Sequence, residues 1–473
     1  MTKPEALGGA SLIVLEGFGG GSRAACRELV PRDQAELRIA LLEARDNRFS
    51  VALRGKGQSY GDAALNTRSF VLDLTKLRRI LSWDKTAGVI EVEPGVTVAD
   101  LWHHILPDGF WPTVVPGTMA PTLAGCAAMN IHGKNNFRVG PIGEHILEFD
   151  LLTPDGRTLL CSREQNSDIF HAAIGGLGGL GAFTRLKLSV TRVESGLLRV
   201  EPFRTRNLEE TLALFEERTQ TADYFVGWID GTASGRSLGR GVLHQATKLH
   251  ADQDPVGAAK TLRVDYQHLP ARILGVPKSI LWRLMKPFMN NLGIRALNTG
   301  KYLAAFLQPR GSSYLQSHVA FHFLLDYVPN WRLAYGSAGL IQYQPFVPKA
   351  NAAAVFREIL QMSQAEGLPP YLAVLKRHRP DPFLLSHAVD GYSLALDFPA
   401  RQREKLWAHC HRMTERVLDA GGRFYFAKDS VLRPDQVIRA FGRERVDAYL
   451  ALKKRLDPEG VLQSDLTRRI FGR

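Results

Sequence analysis

The chain has 473 residues, enough for two or three domains or for one large domain with an insertion. With 45% apolar and 23% charged residues it is neither disordered nor fibrous, and a sizeable core is available. The net charge of +13 favours an anionic partner, whether nucleic acid, acidic membrane surface or phosphorylated substrate, and the 4 cysteines, widely spaced and without a CxxC, exclude a disulfide framework or zinc ribbon.

The opening residues hold no apolar run of signal-peptide length, and no window approaches a transmembrane span. The expectation is a cytoplasmic protein, at most peripheral on the inner membrane. Residues 31–45 read as an amphipathic helix, and 50–53 as a short strand leading into RGKGQSYGD (54–62). Strands follow at 70–74 and 89–93. Thr97 caps a helix over 98–105, with Asp100 in a capping-box position. Then comes PGTMAPTLAGCAAMNIHGKNNFRVG (116–140). The two small-residue segments contain one acid between them, Asp62, and place Ser, Thr, Asn and His where glycine frees the backbone. Backbone N–H groups of such loops form anion-binding concavities, so the pair suggests a clamp around a long anionic cofactor.

Residues 146–153 and 158–161 read as a hairpin around Pro154-Asp155-Gly156. Ser167 is expected to cap a helix over 168–173, and 182–190 is an alternating strand. Between them, Gly176, Gly178 and Gly181 match GxGxxG, but a helix precedes and a strand follows, the reverse of a dinucleotide fold. These glycines are expected to form a tight turn against a cofactor. Further on, helices at 208–218, 352–365 and 402–418 alternate with strands at 224–229, 318–327, 340–347, 371–375 and 392–398. A strand ends at Lys428, and helices follow from Pro434 and over 446–456. The pattern is α+β. His409 and His411 flank Cys410, but side chains two apart on a helix diverge, so no metal site is expected. The interval 270–301 carries Arg272, Lys278, Arg283, Lys286, Arg295 and Lys301 without an acid, together with Trp282, Phe288 and several aliphatic residues. That composition suits a peripheral membrane contact.

RGKGQSYGD, PGT…TLAG…NIHGKN and FAKDS (426–430), in this order, resemble the vanillyl-alcohol-oxidase/PCMH-type flavoproteins. The resemblance is strongest over 51–191 and 391–468. It implies a PCMH-type FAD-binding domain of two α+β subdomains, formed by 1–192 and a returning segment 421–473, with an inserted α+β substrate or cap domain at 193–420. Its FAD contacts carry over to Leu53, Arg54, Gly55, Lys56, Gly57, Gln58, Ser59, Tyr60, Gly61, Asp62 and Ala63 in the first loop. In the second they fall on Gly117, Thr118, Thr122, Leu123, Ala124, Gly125, Met129, Asn130, Ile131 and His132, with Phe183 and Tyr425 beyond. Hydroxyls of Ser59, Thr118 and Thr122 would hold the pyrophosphate. Lys428 is implied at the substrate hydroxyl, as base or electrostatic clamp, with Tyr60 and His132 as further catalytic candidates. Lys134, Gln342, Gln344 and Lys376 are candidate contacts to sugar or phosphate; Gln342 and Gln344 lie two apart and share one strand face.

The implied reaction is FAD-dependent oxidation of a ring hydroxyl in a polyprenyl-phosphate-linked pentose, the first half of an epimerisation that a short-chain reductase would complete. A soluble sugar or aldonolactone as substrate is the alternative within the fold. A basic nucleic-acid-binding protein without flavin is the alternative from another class; the resemblance implies no nucleic acid. Two positions depart from the family pattern. Many relatives tether FAD through a histidine where Gln58 stands, so the flavin is expected to be non-covalent. Relatives that act on the lipid-linked sugar also carry an inhibitor-reactive cysteine where this chain has Ala395, ahead of Leu396-Asp397-Phe398-Pro399.

Overall fold

The computed structural model describes residues 7–472 except Leu274, Gln308 and Arg310. Helices and sheets both contribute, in an α+β arrangement. Arg23–Leu29 pairs antiparallel with Ser11–Glu16, and Phe70–Asp73 lies parallel between Arg23–Leu29 and Val51–Arg54. The helix Gln34–Asp46 makes the crossover into Val51–Arg54. It buries Leu37, Ala40, Leu41 and Ala44, one stripe of a 3.6-residue repeat. Asp33 Oδ1 accepts the Glu36 N–H at 2.9 Å and so caps the helix. This crossover delivers the strand into the first glycine-rich loop.

An antiparallel sheet follows, in the order Ile80–Asp84, Val89–Val92, Ala182–Ser189, Ile146–Leu152, Thr158–Ser162. The helix Val98–Ile105 begins with the expected capping box: Thr97 Oγ1 accepts from Asp100 N, and Asp100 Oδ2 accepts from Thr97 N, both at 3.0 Å. From Leu197 the chain builds a larger antiparallel sheet, nine-stranded among the described residues. Its central strands are Tyr224–Ile229, Leu372–His378 and Gly391–Pro399, and the last pairs with both Leu340–Tyr343 and Pro345–Pro348.

The tail then returns to the first sheet. Val51 N donates to Val461 O at 2.7 Å and Gln463 N to Val51 O at 2.9 Å. Arg469 grips Asp62 (Nη2–Oδ1 2.8 Å) and Asp429 (Nη1–Oδ2 2.8 Å) together. The first glycine-rich loop is thus fixed from behind by the chain's own end.

Several expected elements differ. Residues 318–327 form a helix, His318–His322, and a 3-10 turn rather than a strand; Ser317 Oγ caps it by accepting from Ala320 N at 3.2 Å. The expected strand at 340–347 is interrupted at Gln344, because Pro345 has no N–H to continue the ladder. The strand expected to reach Lys428 stops at Phe424; Lys428 N and Asp429 N both bond Tyr425 O, at 2.9 and 3.1 Å, and curl the chain into a turn. Ser167 is the first helical residue, and Asn166, at φ 50°, takes the cap position.

Candidate active site

The two glycine-rich loops face each other across one cavity, with about 1780 Å³ free of protein atoms and partly open to solvent. Three contacts explain the choice of glycine on the first loop. A Cβ at Gly55 would lie 2.2 Å from Thr122 Oγ1 of the opposite loop. One at Gly57, where φ is +62°, would strike the Arg54 guanidinium. At Gly61 it would meet the Asp429 carbonyl at 2.3 Å. At Gly55 the two loops approach so closely that only bare backbone fits between them, while Gly57 and Gly61 are set by Arg54 of the same loop and by the turn at 425–429. On the other loop, Thr122 caps the short helix Leu123–Ala128, and Asn130 turns the chain at φ 46° with Oδ1 accepting from Gly143 N at 3.0 Å.

The far end of the cavity is built from the large sheet and the turn at 425–428. Gln342 lies opposite Asp397 in the strand register, and Gln342 Nε2 donates to Asp397 Oδ1. Lys428 Nζ sits 3.5 Å from the centre of the Tyr60 ring. The Tyr60 hydroxyl and Asp397 Oδ2 are both buried, with no hydrogen-bond partner among the described residues. Beside them a polar chain runs from His132 through Gln344 (Nε2···Nε2 3.1 Å) to Ser393 (3.2 Å) and on to His378 Nε2 (2.8 Å). Lys134 Nζ donates to the Phe321 carbonyl.

The cavity's charge is one-sided. Arg54, Lys56, Lys134, Lys376 and Lys428 line it, and among the described residues no carboxylate does. Burial pushes Lys376 down to about 8 and Lys134 well below the ordinary lysine range, with the Lys376 charge adding to the second. Lys428 is also lowered, chiefly by burial; Asp397 opposes that shift and Lys376 reinforces it. Asp397, buried behind Gln342, is raised by burial, with the Gln342 hydrogen bond and Lys428 pulling the other way. Burial and the nearby lysines and histidines keep the His132 imidazole neutral. A cavity lined by basic groups with no carboxylate among the described residues suits a ligand that brings negative charge, which would also restore the charged form of its lysines.

Of the residues named from the sequence, Leu53 to Tyr60, Ala63, Gly117, Thr118, Thr122, Ala124, Gly125, Met129, Ile131, His132, Phe183 and Tyr425 line this cavity. Lys134, Gln342, Gln344, Lys376 and Lys428 line it as well, so the shared face of the two glutamines points inward. Gly61, Asp62, Leu123 and Asn130 lie outside its wall: Asp62 holds Arg469, Leu123 is core, and Asn130 shapes the loop. The Thr118 hydroxyl is committed to Asp326 at 2.7 Å. It is therefore unavailable as a phosphate donor. Leu177 and Gly178, of the glycine-rich turn after 173, also reach the wall. Asp397 and His378 were not among the sequence candidates. A lone acid inside the apolar run YSLALDFP was the available signal, since a buried carboxylate needs a partner.

The backbone cradle fits a long, diphosphate-bearing cofactor, and residues 27–162 match a family described as an FAD binding domain. The fold and site are those of a flavin-dependent oxidoreductase. Over 438 residues, 92% of each chain, the sequence is 30% identical to decaprenylphosphoryl-β-D-ribose oxidase of Mycolicibacterium smegmatis. An uncharacterized protein from the mprA 5′ region of Streptomyces coelicolor is 30% identical over 389 residues, 79% of this chain and 100% of that one. Cytokinin dehydrogenase 9 of Oryza sativa subsp. japonica is 25% identical over 236 residues, 47% of this chain and 43% of that one. The chain belongs to the PCMH-type FAD-binding oxidoreductases, the family of the mycolicibacterial oxidase.

Proposed function

We propose that the protein oxidises a ring hydroxyl, the 2′-hydroxyl, of a polyprenyl-phosphate-linked pentose. The observation that carries this reading is the one-sided charge of the cavity, which suits a phosphate-bearing sugar better than a neutral one. The substrate class comes from the oxidase that shares 30% identity over 92% of the chain. FAD, when bound, supplies the hydride acceptor, and Gln58 in the first loop offers no atom for a covalent tether.

The protein's own groups handle orientation and the proton. Lys134, Lys376, Gln342 and Gln344 line the cavity where the sugar is held. Burial favours the neutral form of Lys428 and Asp397 electrostatically opposes it, and the neutral Lys428 amine takes the hydroxyl proton as the carbon gives up hydride. Tyr60 carries the Lys428 amino group on its ring face and orients it toward the hydroxyl. His132, neutral and bonded to Gln344, fixes that amide. The ketone product requires a reductase to return it to an alcohol of inverted configuration, which a short-chain reductase partner would provide.

The reading extends to a membrane surface. No Asp or Glu occurs between Asp265 and Asp326. Outward-facing Leu284, Phe288, Leu292, Leu303 and Leu307 alternate there with exposed Arg283, Lys286 and Arg295. The inner side of the same segment, Met289 and Ile294, clusters with Tyr60. No helix among the described residues is long and apolar enough to cross a bilayer, so the contact is interfacial. The test is product analysis. Incubating FAD-loaded protein with polyprenyl-phosphoryl ribose should yield a species lighter by two hydrogens that borodeuteride converts to a mixture of epimers. Recovery of unchanged substrate would refute the proposal.

A further inference from the structure

A second cavity, with about 1330 Å³ free of protein atoms and partly open to solvent, adjoins the first. Phe18, Gln58, Thr118 and Leu325 line both. Its remaining wall divides by chemistry. Trp102, Met119, Leu269, Val319 and Trp331 make it apolar, while Lys278 and Arg332 make it basic. Asp326 is the single carboxylate on this wall among the described residues, and it is already engaged by Thr118 Oγ1 at 2.7 Å and Met119 N at 2.8 Å. Arg332 shares Glu16 with Arg23, at 2.8 and 3.3 Å, so two cations face one anion there. Lys278 has no ion pair within 4 Å among the described residues. The chamber therefore combines greasy walls with two cations, Arg332 paired to Glu16 and Lys278 without an ion pair among the described residues but close enough to Asp326 to favour its charged form, next to the reaction cavity.

We propose that this second cavity is the subsite for the prenyl-phosphate arm of the substrate, an inference that rests on the function proposed above. The phosphate lies toward the shared wall, within reach of Arg332 and Lys278, and the first isoprene units lie against Trp331, Val319 and Leu269. The rest of the chain leaves along the apolar face of 281–307 toward the bilayer. Sugar chemistry and lipid recognition are thereby split between two adjoining rooms divided by Phe18 and Leu325. A soluble pentose would use only the first.

Calorimetric titration of the FAD-loaded protein with farnesyl phosphate tests this. Wild type should bind it, and Lys278→Glu, which reverses one cation, should weaken binding at least tenfold. Ala120→Trp, which fills the chamber without changing charge, should do the same. Farnesol should bind wild type far more weakly and be indifferent to Lys278→Glu, and millimolar inorganic phosphate should not displace farnesyl phosphate. Flavin absorbance and circular dichroism verify that both variants fold. If wild type binds and both variants match it, the arm sits among the lysines of the first cavity and the inference is overturned. If wild type does not bind and polyprenyl-phosphoryl ribose leaves the flavin oxidised, the proposed function falls with it.

Discussion

Asp397→Asn isolates the electrostatic influence of Asp397 on Lys428. The amide keeps the shape of the carboxylate and can still accept from Gln342 Nε2, but it removes the negative charge that opposes the lowering of Lys428. For charges on the order of 5 Å apart in an effective dielectric of about 20, the lost attraction is roughly 3 kcal/mol. That corresponds to about two pKa units. The sign follows directly: without its anion the Lys428 ammonium is harder to keep, so its pKa falls further. The amine is then free at lower pH but is a weaker base. The acid limb of the pH profile for flavin reduction should move down by one to two units, and the plateau rate should fall roughly tenfold. Anaerobic stopped-flow at the flavin band, from pH 5 to 9, measures both quantities in one experiment. A variant whose limb stays put, or moves to higher pH, refutes the coupling between Asp397 and Lys428.

Other expectations follow from single contacts. Lys428→Met should slow flavin reduction by about 10² to 10⁴-fold while leaving FAD content unchanged, the range for loss of a general base. Gly55→Val would drive a side chain into Thr122 and should weaken FAD binding at least tenfold, as measured by equilibrium dialysis, with circular dichroism unaltered. All four cysteines are buried, so N-ethylmaleimide should leave wild type active; Ala395→Cys places a thiol on the cavity wall and should confer inactivation that substrate slows. His318 and His387, held neutral by burial down to about 3, bind fewer protons folded than unfolded. Their stabilising effect is full above the ordinary histidine range and is lost as pH falls from about 6.5, at about 1.4 kcal/mol per unit for each. Denaturant midpoints should accordingly drop between pH 7 and 5, and unchanged midpoints would contradict neutral burial.

The cradle was legible in the sequence because its chemistry is local. Gly57 against Arg54 and the Thr97 capping box act within a few residues of where they stand, and the glycine-rich composition of both loops shows in the sequence although the partners of Gly55 and Gly61, Thr122 and Asp429, are distant. Strands whose inward residues are small were not. Arg23–Leu29 buries only Ala24 and Cys26 between exposed charges, too faint an alternation to register. The segment 318–327 reads equally well as strand or helix, and only the Ser317 cap and the packing of His318 and His322 against Trp111 decide it. Which way Gln342 and Gln344 point depends on a sheet buried on both faces, where alternation carries no sign. Asp397 is unreadable as a partner of Lys428 without the fold, since register with Gln342 and a turn 30 residues on bring them together.

The most direct measurement is anaerobic single-turnover reduction of the FAD-loaded protein by polyprenyl-phosphoryl ribose, protiated or deuterated at the carbon that bears the 2′-hydroxyl. The account requires the flavin band to bleach, with the deuterated substrate several-fold slower. A flavin that stays yellow with this substrate yet bleaches with a soluble aldonolactone would contradict it.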